Sequence, residues 1–144
     1  PYDKTVLYSD ALYQLYKHKD AGNYIKAMNE MFNRLGDKAS STDFGKEAQD
    51  LYYAAGSKLT ADQHRQAIQW VEKALQSEVS VMDRVNFLVM IGDSYRELKN
   101  YSKAREYYNQ AYAESLQMAK QEAAQQMIQV AVMRKLSALE LLEK

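Results

Sequence analysis

The chain has no cysteine, a single proline at its first position and only five glycines in 144 residues. Without cysteine it can form no disulfide, no thiolate metal site and no cysteine nucleophile, although the compartment stays open. With so little Pro and Gly, few points interrupt helix formation. Alternating β-branched runs are also scarce, so no sheet is expected. Net charge is missing too: 19 Lys and Arg balance 19 Asp and Glu. The basic excess with which nucleic-acid binders displace counterions is therefore not there, and no nucleic-acid partner is expected. No stretch approaches 18 consecutive apolar residues, so no segment should span a membrane. Catalytic signatures are lacking as well. The two histidines, His18 and His64, show no H-E-x-x-H or paired metal spacing, and neither a G-x-S-x-G elbow nor a Gly-rich phosphate loop occurs. His18 falls at a predicted helix end, where the helix dipole favours a cation and a structural role suffices. We expect no enzyme, no metal and no cofactor.

What is present is ordinary for a globular protein, with 47% hydrophobic and 26% charged residues. The length suits one domain, residues 1–144, able to bury about two thirds of the surface its unfolded chain exposes. The chain starts at Pro1 rather than Met and shows no signal-peptide pattern, which implies a trimmed N-terminus and leaves both cytoplasm and periplasm open.

Helical periodicity dominates throughout, and about seven helices can be drawn. The first runs from about Lys4 to His18, with Leu12 and Tyr16 on one face and Leu7, Ala11 and Leu15 on an adjoining strip. The second starts after Asn23, read as its N-cap, and stops before Gly36. The third spans about Thr42 to Ala55 and carries Phe44, Ala48, Leu51, Tyr52 and Ala55 on one face. Thr60 and Gln63 form a T-x-x-Q capping box that opens the fourth, whose buried stripe is Ala67, Ile68, Val71, Ala74 and Leu75. Ser80 opens the fifth, which reaches Leu98, and the sixth begins near Tyr101. No Gly or Pro follows Ser102, so the last two helices would form one rod unless a turn falls within Met118–Glu122, where we expect it.

The segment from Asp83 to Leu116 carries the most information. Leu88, Ile91, Gly92 and Tyr95 sit at i, i+3, i+4 and i+7, on one helix face. After a break at Lys99-Asn100, Tyr101, Ala104, Tyr108 and Ala111 form a second stripe. Gly92 costs about 1 kcal/mol relative to Ala inside a helix, so a packing reason is expected, namely close approach of the partner helix. These eight residues, in this order and spacing, resemble the tetratricopeptide repeat. Weaker matches extend the resemblance back to Leu12. The middle unit matches at Ala48, Ala67 and Ala74, with Phe44 and Leu51. The first matches at Leu12, Tyr16, Tyr24 and Ala27, but departs at Tyr13 and Arg34. His64 stands where the family has an aromatic, and the closing proline is absent from all three. The separations Ala27–Ala67–Ala104 are 40 and 37 residues, against about 34 in the family. Longer units of this kind look more like the arrays of bacterial signalling and regulatory proteins.

The resemblance implies an all-α, right-handed superhelical array of antiparallel hairpins. Its units are about 4–36, 42–77 and 81–118, with an extra helix at about 122–142. It also implies a protein-interaction scaffold, in which the first helix of each unit lines a concave groove. On the strong unit the groove residues would be Asn86, Val89, Asp93, Arg96 and Glu97. A family subtype clamps a C-terminal carboxylate with Lys and Asn at such places. Val89 and Asp93 occupy two of them here, and Asp93 would repel a carboxylate, so an internal peptide segment is the better expectation.

Two features stand apart from the repeat. Twelve tyrosines include the pairs Tyr52-Tyr53 and Tyr107-Tyr108, of which Tyr52 and Tyr108 are expected inward and Tyr53 and Tyr107 towards the flank. In the last helix the run from Met127 to Met133 has one polar residue, Gln129. Packing through Ala124, Met127, Ile128 and Ala131 would leave Val130 and Met133 uncovered, whereas a terminal repeat helix normally carries a polar outer face. A removed repeat, a homodimer or a partner docking site would each account for this, with Met127, Val130, Met133 and Leu136 as contacts.

Overall fold

The computed structural model describes residues 4–118 and 122–144. They form seven α-helices: α1 Lys4–His18, α2 Ala21–Leu35, α3 Ser41–Ala55, α4 Ala61–Leu75, α5 Val81–Glu97, α6 Tyr101–Ser115 and α7 Glu122–Glu143. Among the described residues there is no strand, and no helix is long and apolar enough to cross a membrane. The protein is all-helical.

Helix starts are set by side-chain caps. Asp20, Ser40, Thr60, Ser80 and Asn100 each accept a hydrogen bond from the backbone N–H three residues on. That satisfies one of the donors a helix start leaves unpaired. Ser40 and Thr60 complete full capping boxes with Asp43 and Gln63. These five caps fall 20 residues apart, so a helix pair recurs every 40 residues. The cap of α2 corrects the expectation for Asn23. Asp20 takes both the backbone N–H and the side-chain amide of Asn23, which lies inside the first turn. The three-residue slip also moves the register of the first unit. Tyr24, Met28 and Met31 are buried at the positions 80 residues before Ala104, Tyr108 and Ala111, while Ala27 is only half-buried.

The chain divides into two compact units, Pro1–Ser77 and Glu78–Lys144. In the first, α1 pairs with α2 and α3 with α4, around Leu15, Tyr24, Met28, Met31, Leu51, Trp70 and Val71. Phe32 stacks on Phe44 at 4.0 Å and meets Trp70 edge-on at 5.8 Å. Trp70 Nε1 donates to Asn29, whose amide donates in turn to Gln66, so the polar edge of this aromatic cluster is paired. The buried face of α1 is Ala11 and Leu15, whereas Tyr16 is exposed and Leu12 half-buried. The side chain of Leu7, assigned to the same strip, lies outside the described residues.

In the second unit α5 and α6 form a hairpin. Lys99 takes the left-handed conformation (φ 63°), and the N–H groups of Lys99 and Asn100 return to the carbonyls of Arg96 and Tyr95. This is a Schellman closure with Lys in place of the usual Gly. Lys19 turns the α1–α2 hairpin with a similar φ of 55°. Val85, Leu88, Ile91 and Gly92 on α5 face the buried Ala104, Tyr108 and Ala111 side of α6. A β-carbon on Gly92 would lie 2.6 Å from Cδ1 of Tyr108 and nearer still to Cε1, which is the close approach expected of this glycine. Tyr95 stacks on Tyr107 at 5.6 Å on the flank of the hairpin. α7 packs on α6 and is a separate helix, not the continuation of one rod, since α6 ends at Ser115. The expected turn begins earlier than Met118, whose N–H bonds to the Ser115 carbonyl, and residues 119–121 lie outside the described ones.

Candidate functional site

On α5, Asn86, Val89, Asp93 and Arg96 are half-buried and Glu97 is exposed. One helix face brings them together, as the spacing predicts. Asp93 is nevertheless already occupied. Its carboxylate accepts from the Tyr108 hydroxyl at 2.5 Å and from Lys135 Nζ at 2.8 Å, and Arg96 stands at 3.5 Å. Burial works against the Arg96 charge, but Tyr108, Asp93 and Glu97 outweigh it and raise its pKa above the ordinary guanidinium value. The expectation that Asp93 turns away a carboxylate by repulsion is thus revised: two cations balance it, and its acceptor positions are filled from inside the unit. Nothing in the sequence marks Lys135 for this role, because only folding brings it to Asp93, 42 residues away. Beside this cluster lie the half-buried Asn86 and Val89 and the exposed Glu97, whose carboxylate stands 3.4 Å from Arg96 Nη2.

A second surface belongs to α7. Val132 and Leu139 are buried and Leu136 is half-buried, which makes these the packed face. The expectation of packing through Met127 and Ala131 is overturned, because both are exposed, while Ala124 and Ile128 are half-buried. Helical geometry gives the reason: Val132, Lys135, Leu136 and Leu139 share the face of α7 that packs on α6, and from it Lys135 Nζ reaches Asp93 of α5 at 2.8 Å. Opposite that face Val130 (51%) and Met133 (51%) are open to solvent, as expected, and so are Met127 (75%) and Leu141 (73%). Leu136 therefore leaves the contact set and Leu141 joins it. With Tyr112 of α6, Val130, Met133 and Leu141 border an open cleft of about 640 Å³.

A third cluster, in the first unit, escaped the sequence reading. Glu47 is buried and accepts from the Tyr24 hydroxyl at 3.0 Å. Burial pushes its pKa up to about 7, against the lowering effect of the Tyr24 bond, with Asp50 adding to the rise. Tyr8 donates to Asp50 close by. Burial and the neighbouring carboxylates raise the pKa of both Tyr24 and Tyr8. On α3 Glu47 reads as one more surface carboxylate, and only its place on the Ala48–Leu51 side of the helix hints otherwise. His64, the other departure from the repeat pattern, is buried beside Tyr52. Among the described residues no three His, Asp or Glu side chains converge as metal ligands.

Compared with known proteins, the chain matches no family model, no curated relative and no solved structure.

Proposed function

We propose that the chain is a protein-interaction module, not an enzyme. In this reading it is a tetratricopeptide-like array that holds a peptide or protein partner against the first helices of its hairpins. The observation that carries the proposal is the charged cluster on α5. Asp93, Arg96, Lys135 and Tyr108 are bonded to one another at a half-exposed surface, beside Asn86, Val89 and Glu97. Side chains fixed before binding lose little entropy on contact, and Arg and Tyr are over-represented among residues that dominate binding energy. The tight α5–α6 closure over Gly92 and the recurrence of helix caps support the array. Its 40-residue spacing favours the longer units of regulatory arrays over the compact form of about 34.

The test uses Val89→Lys plus Glu97→Lys, which alters this face without touching the Asp93 bonds. A partner captured from cell extract by the native chain should be retained at least tenfold less by the variant. Val130→Glu plus Met133→Glu, on the other surface, should leave capture unchanged. If no captured protein depends on Val89 and Glu97, the α5 face is not the binding surface.

A further inference from the structure

We infer that the first unit carries a docking surface of its own, where Tyr13, Tyr16 and Tyr53 take an extended proline-rich segment bearing acidic side chains. The inference rests on the reading of the chain as an interaction module, but not on the α5 face itself. Its first ground is register. Tyr53 and Asp93 each stand 13 residues beyond a helix cap, Ser40 and Ser80. Tyr13 precedes the Asp20 cap by seven residues, as Asp93 precedes Asn100. Counted this way, Tyr13 and Tyr53 occupy the place of Asp93, Tyr16 that of Arg96, Lys17 that of Glu97 and Lys46 that of Asn86. The face that is charged and internally bonded on α5 is therefore aromatic on α1 and α3. All three rings are exposed, Tyr53 by 74%. Burial, then Asp50 and Tyr53, raise the pKa of the Tyr16 hydroxyl, so Tyr16 stands where α1 and α3 meet.

The second ground is what this face offers a ligand. Ser9, Leu12, Tyr13, Tyr16 and Lys17 border an open cleft of about 510 Å³ along α1. An open cleft walled by rings suits proline rings laid flat on them, rather than a long side chain inserted end-on. A polyproline helix has no internal hydrogen bonds, so its carbonyls need donors. The Tyr13 hydroxyl accepts from Lys17 Nζ at 2.7 Å and keeps its own O–H to donate. The charge is one-sided as well. Lys17 and Lys46 are exposed, and each lies over a tyrosine ring, Tyr13 and Tyr8 respectively. Among the described residues neither has a carboxylate within ion-pair distance. Of the nearby acids, Glu47 is buried, Asp50 accepts from Tyr8, and Asp10 lies on the other flank of Tyr13 from Tyr16. Two cations beside the rings, with no anion of the unit to balance them, select acidic side chains between the prolines.

Fluorescence anisotropy of a labelled peptide of alternating Pro and Glu, titrated with the full chain, reads the binding. The native chain should bind it saturably, and should bind alternating Gly-Glu and Pro-Lys peptides about tenfold less tightly or worse. Tyr13→Ala plus Tyr53→Ala should weaken Pro-Glu binding about tenfold or more. Lys17→Glu plus Lys46→Glu should reverse the preference, so that Pro-Lys binds better than Pro-Glu. All four side chains are exposed, so circular dichroism should show an unchanged fold. Val89→Lys plus Glu97→Lys should leave Pro-Glu binding unchanged, which separates this surface from the α5 face. Absence of saturable binding overturns the inference. So does equal binding of Gly-Glu, which would make the contact purely ionic, or equal binding by the tyrosine variant. Pro-Glu binding that is lost with Val89 and Glu97 but kept without Tyr13 and Tyr53 would assign the ligand to α5 and overturn it too. Capture of an extract protein through Val89 and Glu97, with no Pro-Glu binding, would overturn this surface and leave the α5 reading standing.

Discussion

Replacing Gly92 by alanine sets two effects of opposite sign against each other. Alanine is a better helix former than glycine by about 1 kcal/mol, so at an open position Gly92→Ala would stabilise the protein. Here the added methyl would lie 2.6 Å from Cδ1 and 3.2 Å from Cζ of Tyr108. The ring cannot simply swing away. Tyr108 is fully buried, its hydroxyl donates to Asp93 at 2.5 Å, and Lys135 lies over its face at 5.9 Å. Overpacking a well-filled site costs about 1–3 kcal/mol. If the ring moves, a hydrogen bond to a charged acceptor worth about 1.5–3 kcal/mol is weakened as well. The net expectation is a loss of about 2–3 kcal/mol, or a fall in Tm of roughly 10 °C for a unit of this size. Thermal unfolding by circular dichroism and amide exchange in α5 and α6 measure it. Tyr108→Leu should cost stability by itself yet remove most of the penalty of Gly92→Ala, so the double variant should be more stable than additivity predicts. A neutral or stabilising Gly92→Ala would show that helix propensity wins and that the ring does not occupy this space.

Glu47 makes the first unit sensitive to pH. Its folded pKa of about 7 lies above its ordinary 4.5, so the folded state holds the proton more tightly. The resulting stability is fully present below pH 4.5 and is lost as pH rises through 7, an effect of roughly 3 kcal/mol. The groups facing Glu47 are Tyr24 from α2 and Asp43, Lys46 and Asp50 from α3, with Tyr8 of α1 on Asp50. Urea titrations at about pH 5 and pH 8 should show the difference, and Glu47→Gln should abolish it; an equal slope in that variant would place the titration elsewhere. Thr60→Ala removes a complete capping box and should cost about 1 kcal/mol in chemical denaturation, whereas Thr60→Ser should cost little. Lys135→Met keeps the stem over Tyr108 but removes the ammonium from Asp93. It should lower thermal stability by about 1 kcal/mol, and no change would show that Arg96 suffices to balance Asp93.

Much of the fold is legible in the sequence because its determinants are local. Thr60 with Gln63 and Ser80 mark helix starts by chemistry within one turn, and the stripes at Leu88–Tyr95 and Tyr101–Ala111 report a period of about 3.6 residues. Local chemistry also misled where two caps competed. Asp20 and Asn23 are both good N-caps three residues apart, and the αL turn at Lys19 decides for Asp20. Periodicity similarly leaves open which side of a helix is buried when apolar residues lie on several of its faces, as they do in α7. On α7 the packed side holds Val132 and Leu139, and Lys135 of the same side meets Asp93, 42 residues away.

The sequence by itself determined an all-helical protein without cysteine chemistry, with hairpins of regular length and a glycine placed for helix contact. Those properties follow from composition, caps and spacing, which act over a few residues. Only the tertiary structure decided that Asp93 is spent on internal bonds, that Glu47 is a buried acid and that Val132 and Leu139, with neither Met127 nor Ala131, form the packed side of α7. Burial and charge balance are set by which helices meet, and that depends on contacts between residues far apart in the chain.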